Sequence, residues 1–87
     1  MNYKLHVKNS VSNFVASEIT SRGWTNNDLA ENLRKKGITV NAGVIQSWRS
    51  GNSVPKAYVI LALADLCETS TDEILGAFDL SAEPPLK

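Results

Sequence analysis

Gly23, Gly37 and Gly51 each close a run of residues with helical periodicity, and each is followed within a few positions by a helix-opening residue, Thr25, Asn41 or Pro55. Glycine supplies the left-handed conformation that ends a helix. A short polar side chain or a proline at the next start suits the free amide groups there. A chain punctuated this way has room only for short helices. It is predicted to fold as an all-α domain of five helices.

The starts and stops can be read individually. Thr25 caps the second helix with Asp28 three residues on, and Trp24 and Leu29 flank the cap at the spacing of a hydrophobic staple. Leu29, Ala30 and Leu33 form its buried face, and Arg34, Lys35 and Lys36 place cations at the negative end of its dipole before Gly37. Asn41 caps the third helix, in which Val44, Ile45 and Trp48 share one face and Gln46, Ser47, Arg49 and Ser50 the other. Trp48 is a core residue in this reading, and its burial frees the polar side for contact. Gly43 inside the first turn costs about 1 kcal/mol relative to alanine and lets something approach the backbone closely. Pro55 opens the fourth helix, the central packing element, with Ala57, Ile60, Leu61, Leu63 and Ala64 in the core. Ser70 with Glu73 makes a capping box for a fifth helix carrying Ile74, Leu75 and Phe78.

The ends are less regular. Val11, Phe14, Val15 and Ile19 recur at helical spacing, with Asn9 or Ser10 as cap and Gly23 as stop. Before them, Tyr3 to Val7 alternate as a half-buried strand would. That segment is a strand added to a partner subunit, an arm that lays Lys4 and Lys8 along DNA, or disordered. His6 is expected to be an exposed arm residue. The expected organisation is residues 1–9 as arm or short strand, 10–79 as a helical domain, and 80–87 as a disordered tail. No sensor, protease or ligand domain is expected within these residues.

With 87 residues, the chain forms one domain with a single modest core. The formal net charge is zero, but it is unevenly spread. Residues 20–56 carry Arg22, Arg34, Lys35, Lys36, Arg49 and Lys56 against Asp28 and Glu31, a net +4, whereas residues 57–87 hold six carboxylates against Lys87, a net −5. One surface can thus face a polyanion while another repels it. One histidine, one cysteine and no glycine-rich phosphate loop leave nucleophilic, metal and nucleotide chemistry without their parts, so no enzyme, metal or cofactor is expected. Cys67 reads as a small buried hydrophobe. The longest apolar run, residues 57–64, is too short for a membrane span, and the amino terminus lacks a signal-peptide core, so a cytoplasmic protein is expected.

A firmly capped second helix joined by a turn to a polar third helix is the helix-turn-helix arrangement. Through "WTNNDLAENL", "VIQSWRSGNSVP" and "LALADLCETSTDEILG", residues 24–76 resemble the lambda-repressor-like DNA-binding domains, the Cro and phage-repressor class often called XRE-type. Ile45, Trp48, Gly51, Pro55, Leu61, Ala64, Ser70, Asp72, Glu73, Leu75 and Gly76 match the family pattern without a gap. The resemblance implies that residues 42–50 enter the major groove as part of a homodimeric repressor, of phage or mobile-element type, on an inverted-repeat operator. It implies base contacts for Ala42, Gly43, Gln46 and Ser47. Phosphate contacts are expected from Asn26 and Asn52 and from Asn27, Asn41, Ser50 and Lys56 around them. By residue chemistry glutamine can pair with adenine, serine bonds either way, and arginine reads guanine or phosphate. Arg49 stands where the family often has an acidic residue, so it is a base contact, a phosphate contact or a salt-bridge partner of Glu31. The chain also departs from the family by inserting residues through "RKKGIT" (34–39), which either lengthens the second helix or sets Lys35 and Lys36 against the DNA backbone. Candidate dimer surfaces are Ile74, Phe78 and Leu80 on the fifth helix side and Tyr3, Leu5 and Val7 at the amino terminus.

A rival reading keeps the helical fold and gives it to protein contact, as a protein-interaction module such as an antitoxin or antirepressor partner; a regulatory protein partner of this chain is a separate expectation. Its support is the zero net charge and the single basic residue, Arg49, on the third helix. Salt separates the two readings, because phosphate binding weakens steeply as salt rises.

Overall fold

A computed structural model describes residues 2–77. They form five helices, α1 (Tyr3–Arg22), α2 (Asn26–Arg34), α3 (Ala42–Arg49), α4 (Ala57–Leu66) and α5 (Thr71–Leu75), with no strand among the described residues. Helix α1 packs on α3 and α5, α2 packs on α3 and α4, and α4 packs on α5. The core gathers Val11, Val15 and Ile19 from α1, Leu29, Ala30 and Leu33 from α2, and Ile45 and Trp48 from α3. Val59, Ile60, Leu63 and Ala64 from α4 and Ile74 from α5 complete it, and no polar or charged residue among those described is buried.

Helix α1 overturns the expected arm or strand at residues 3–7. It is helical from Tyr3, and its cap is Asn2, whose Oδ1 accepts from the Leu5 amide at 3.0 Å, rather than Asn9 or Ser10. The physical reason is a stripe at four-residue steps, Val7, Val11, Val15 and Ile19, that runs straight through the boundary. Tyr3 and Val7 belong to that step as well as to the alternation, while Leu5, the residue that completed the alternation, is 52% exposed. His6 is half-buried rather than free, and its Nε2 donates to the Gly76 carbonyl at 2.9 Å. Ser10 Oγ donates to the Ile74 carbonyl at 2.8 Å, so α1 holds the carboxyl end of α5 by two side chains.

The predicted starts of α2, α3 and α5 are found, the last as a serine cap without the Glu73 half of the predicted box. Thr25 Oγ1 accepts from the Asp28 amide while Asp28 Oδ2 accepts from the Thr25 amide, closing a reciprocal capping box. Asn41 Oδ1 accepts from the Val44 amide at 2.9 Å, and Ser70 Oγ from the Glu73 amide at 3.1 Å. The stops share one device. Gly23, Gly37 and Gly51 take positive φ, and each donates its amide three residues back while the next residue donates five residues back, as Gly37 to Arg34 and Ile38 to Leu33. This double bond pattern satisfies carbonyls that a helix end leaves free. At the end of α4 the same pattern places Glu68 at φ 55, with Thr69 donating to Ala64.

Two expectations for α4 change. Pro55 is buried but lies ahead of the helix, which starts at Ala57 with Lys56 as its cap. Leu61 is 64% exposed and Ala57 is exposed, because Val59, Ile60, Leu63 and Ala64 form the face that meets α2 and α5. A helix apolar all round gives periodicity no face to choose. Tertiary contacts choose it here. Val44 likewise stands at the rim of α3, 38% exposed, rather than beside Ile45 and Trp48 in the core.

Candidate nucleic-acid interface

Helix α3 sinks Ile45 and Trp48 into the core and leaves Gly43 and Gln46 exposed, with Ala42, Ser47 and Arg49 half-buried. Its placement is fixed at both ends. Asn41 holds the first turn, and at the last turn Ser12 of α1 donates its hydroxyl to the Arg49 carbonyl. An added Cβ on Gly43 would sit 3.3 Å from Asn41 Oδ1, so the small residue also leaves room for its own cap.

Three polar side chains meet between α2 and α3. The Arg49 guanidinium donates through Nη1 to Asn26 Oδ1 at 3.0 Å, and Asn26 Nδ2 donates to Gln46 Oε1 at 3.1 Å. The structure thus joins three of the expected DNA contacts, two for bases and one for phosphate, in one hydrogen-bonded row. The salt bridge between Arg49 and Glu31 is not formed, because Glu31 pairs with Arg34 one turn along α2 while Arg49 turns to Asn26.

The remaining expected contacts separate into free and engaged groups. Ser47 Oγ donates to the Val44 carbonyl at 2.6 Å and lies 2.5 Å from Ser53 Oγ, so its hydroxyl proton is used within the chain. Ser50 Oγ donates to the Ser47 carbonyl at 3.2 Å. Asn27, Asn52, Lys35 and Lys56 are exposed. Lys36 is also exposed, but its Nζ lies 2.5 Å from Asp65 Oδ2 on α4, which holds the ammonium toward that helix. The segment 34–39 does not lengthen α2 beyond Arg34. It turns at Gly37 and tucks Ile38 against the core.

Among the dimer candidates, Ile74 is fully buried in the core and has no surface to offer a second copy. Val7 is half-buried against the core. Tyr3 and Leu5 are exposed, at 68% and 52%, and Phe78 and Leu80 lie outside the described residues, as do the expected tail 80–87 and the end of the 10–79 domain.

Sequence reasoning missed Ser12 and Ser53, which position Arg49 and Ser47 from 37 and 6 residues away. Ser12, a lone hydroxyl on α1, carries no signal of so distant a partner, and Ser53 lies in the connection after α3, where no helical spacing links it to Ser47. Cys67 is half-buried, and its burial first, with the neighbouring Glu18 carboxylate second, pushes its thiol up from 9.0 to about 11. It stays protonated through the neutral range. Among the described residues no three His, Cys, Asp or Glu side chains come together to hold a metal, and no helix is long and apolar enough to cross a membrane. Comparison with protein-family models, curated proteins and solved structures finds no match to this chain.

Proposed function

We propose that this chain is a sequence-specific double-stranded DNA-binding transcriptional regulator, a repressor of the lambda-repressor-like helix-turn-helix class, that sets α3 in the major groove. It acts as a homodimer on an inverted repeat. The observation that carries the reading is the row Arg49–Asn26–Gln46 beside an exposed Gly43, on a short helix whose apolar half is sunk in the core. Amide and guanidinium groups on such a face have the chemistry of base-edge recognition, and a glycine allows close backbone approach. Tyr3 and Leu5 supply exposed apolar surface for a second copy. Lys35 and Lys56 supply free cations for phosphate.

Selection of sites from a random duplex library by the purified protein tests the reading. Enrichment of an inverted repeat, with half-sites about 10 bp apart or a multiple of it, is the expected result. A folded protein that enriches nothing would favour the rival, a protein-interaction module. The rival's specific support is Tyr58 and Leu61, which stand exposed on α4.

A further inference from the structure

Helix α4 is apolar on the side it turns to solvent as well as on the side it buries. Tyr58 and Leu61 are 55% and 64% exposed, Asp65 is exposed, and Ala62 is half-buried. Residues three and four apart on a helix are neighbours, so Tyr58, Leu61, Ala62 and Asp65 form one stripe. A shallow groove along one flank is lined by Ile38, Tyr58, Leu61 and Ala62, together with the paired Lys36 and Asp65. Another groove beside α4 is lined by Pro55, Ala57, Leu61 and Leu75. Leu61 borders both grooves and stands as the ridge between them.

The stripe is complementary to its own reverse. Tyr58 and Asp65 stand equally far from a midpoint that falls between Leu61 and Ala62. A second copy laid across α4 in the opposite direction, about a two-fold axis through that midpoint, sets Leu61 of each copy over Ala62 of the other. The same operation sets Tyr58 of each over Asp65 of the other. Large thus meets small and a donor meets an acceptor, each of them twice, as a self-complementary two-fold contact requires. Asp65 Oδ2 holds Lys36, and its Oδ1 accepts no hydrogen bond among the described residues, which leaves it for the Tyr58 hydroxyl. The two charges lining the groove neutralise each other, so like charges do not oppose the approach.

We infer that α4 is the face through which this chain binds a second copy of itself, α4 antiparallel to α4. This rests on the homodimeric reading above and names the surface that joins the copies. The contact is small. A ten-residue helix is about 15 Å long, and one such face falls short of the roughly 800 Å² per partner of a standard interface. The dimer is therefore expected to dissociate on dilution.

Sedimentation equilibrium of the full chain without DNA, over a range of concentrations, tests the pairing. The wild type should pass from monomer to dimer as concentration rises. Leu61→Glu changes an exposed position, leaves the core untouched, and should weaken dimerisation by about tenfold or more. Ala62→Leu separates the pairing from general stickiness. It adds apolar surface and should nonetheless weaken the dimer, because Leu61 of the other copy loses its place. Leu61→Ala alone should weaken it as well, and the two changes together should restore much of the association, since large again meets small with the positions exchanged.

A dimer as strong in Leu61→Glu as in the wild type would overturn the pairing. So would an Ala62→Leu dimer stronger than the wild type, or a double variant no better than either single one. A wild type that stays monomeric up to about millimolar concentration would do the same and leave the face to a different protein. If Leu5→Glu abolishes the dimer and Leu61→Glu does not, the copies meet at the first turn of α1, and the homodimeric reading stands without α4. Site selection decides that reading separately: if no duplex is selected, DNA binding fails while a dimer sensitive to Leu61 and Ala62 keeps the pairing.

Discussion

Gly76 is the glycine with the least freedom to change. It combines φ 77 with burial, and an added Cβ would lie 2.7 Å from His6 Nε2 and 2.8 Å from Ser10 Oγ. The left-handed backbone alone costs a non-glycine residue about 1–2 kcal/mol, and relieving the overlap would break the two bonds that tie α1 to the end of α5. Gly76→Ala should therefore lose more than about 2 kcal/mol in urea unfolding. Gly37→Ala, with the same backbone sign and open space around it, should lose less. Cys67 makes a second prediction. Its thiol ionises near 9.0 when free and only at about 11 in the fold, so the folded chain holds that proton more tightly. The contribution is complete below about pH 9 and is lost as pH rises toward about 11. Wild-type stability should fall more steeply across that window than that of Cys67→Ala, measured by denaturant midpoint at each pH.

At the scale of the element, the starts of α2, α3 and α5 and the stops of α1, α2 and α3 were legible because each rests on a local bond between neighbours in sequence. Thr25, Asn41, Ser70, Gly23, Gly37 and Gly51 all act where their residue types place them. The first turn of α1 was not legible, since Tyr3, Leu5 and Val7 satisfy a period of two and only the longer stripe through Val11, Val15 and Ile19 reveals a helix. The outer face of α4 was hidden for a different reason: an all-apolar segment leaves the choice to its neighbours. Glu68 marks an element end that sequence could not announce, because it fills with a glutamate the position that glycine fills after α1, α2 and α3. Relief of its left-handed backbone, partly offset by glycine's greater chain entropy, should make Glu68→Gly more stable by up to about 1 kcal/mol. A lowered thermal midpoint for that variant would contradict this account.

For the whole molecule, the segregation of charge could be counted from sequence, but which cations are free could not. Lys36 is committed to Asp65, whereas Lys35 and Lys56 have no such partner. If the chain binds duplex DNA as proposed, log K should fall with log salt by about 0.9 for each phosphate contacted. Lys56→Ala should reduce that slope by about 1, and Lys36→Ala should leave it nearly unchanged. A slope that responds to Lys36 would mean that the Asp65 pair opens on binding. The candidate site was legible as a list of residues and not as an arrangement. Nothing in the spacing of Asn26, Gln46 and Arg49 indicates that they bond to one another, since helix packing alone brings α2 and α3 together.

The core contains hydrocarbon side chains and one indole, with no buried polar partner to keep in register. Such interiors accept volume-conserving exchanges at modest cost. What holds this chain together and what it presents to a ligand are therefore carried by almost disjoint sets of positions, with Trp48 the hinge between them. If the chain binds duplex DNA as proposed, recognition and durability can be altered one at a time: a new operator preference written on α3 and the first turn of α2 needs no compensating change inside.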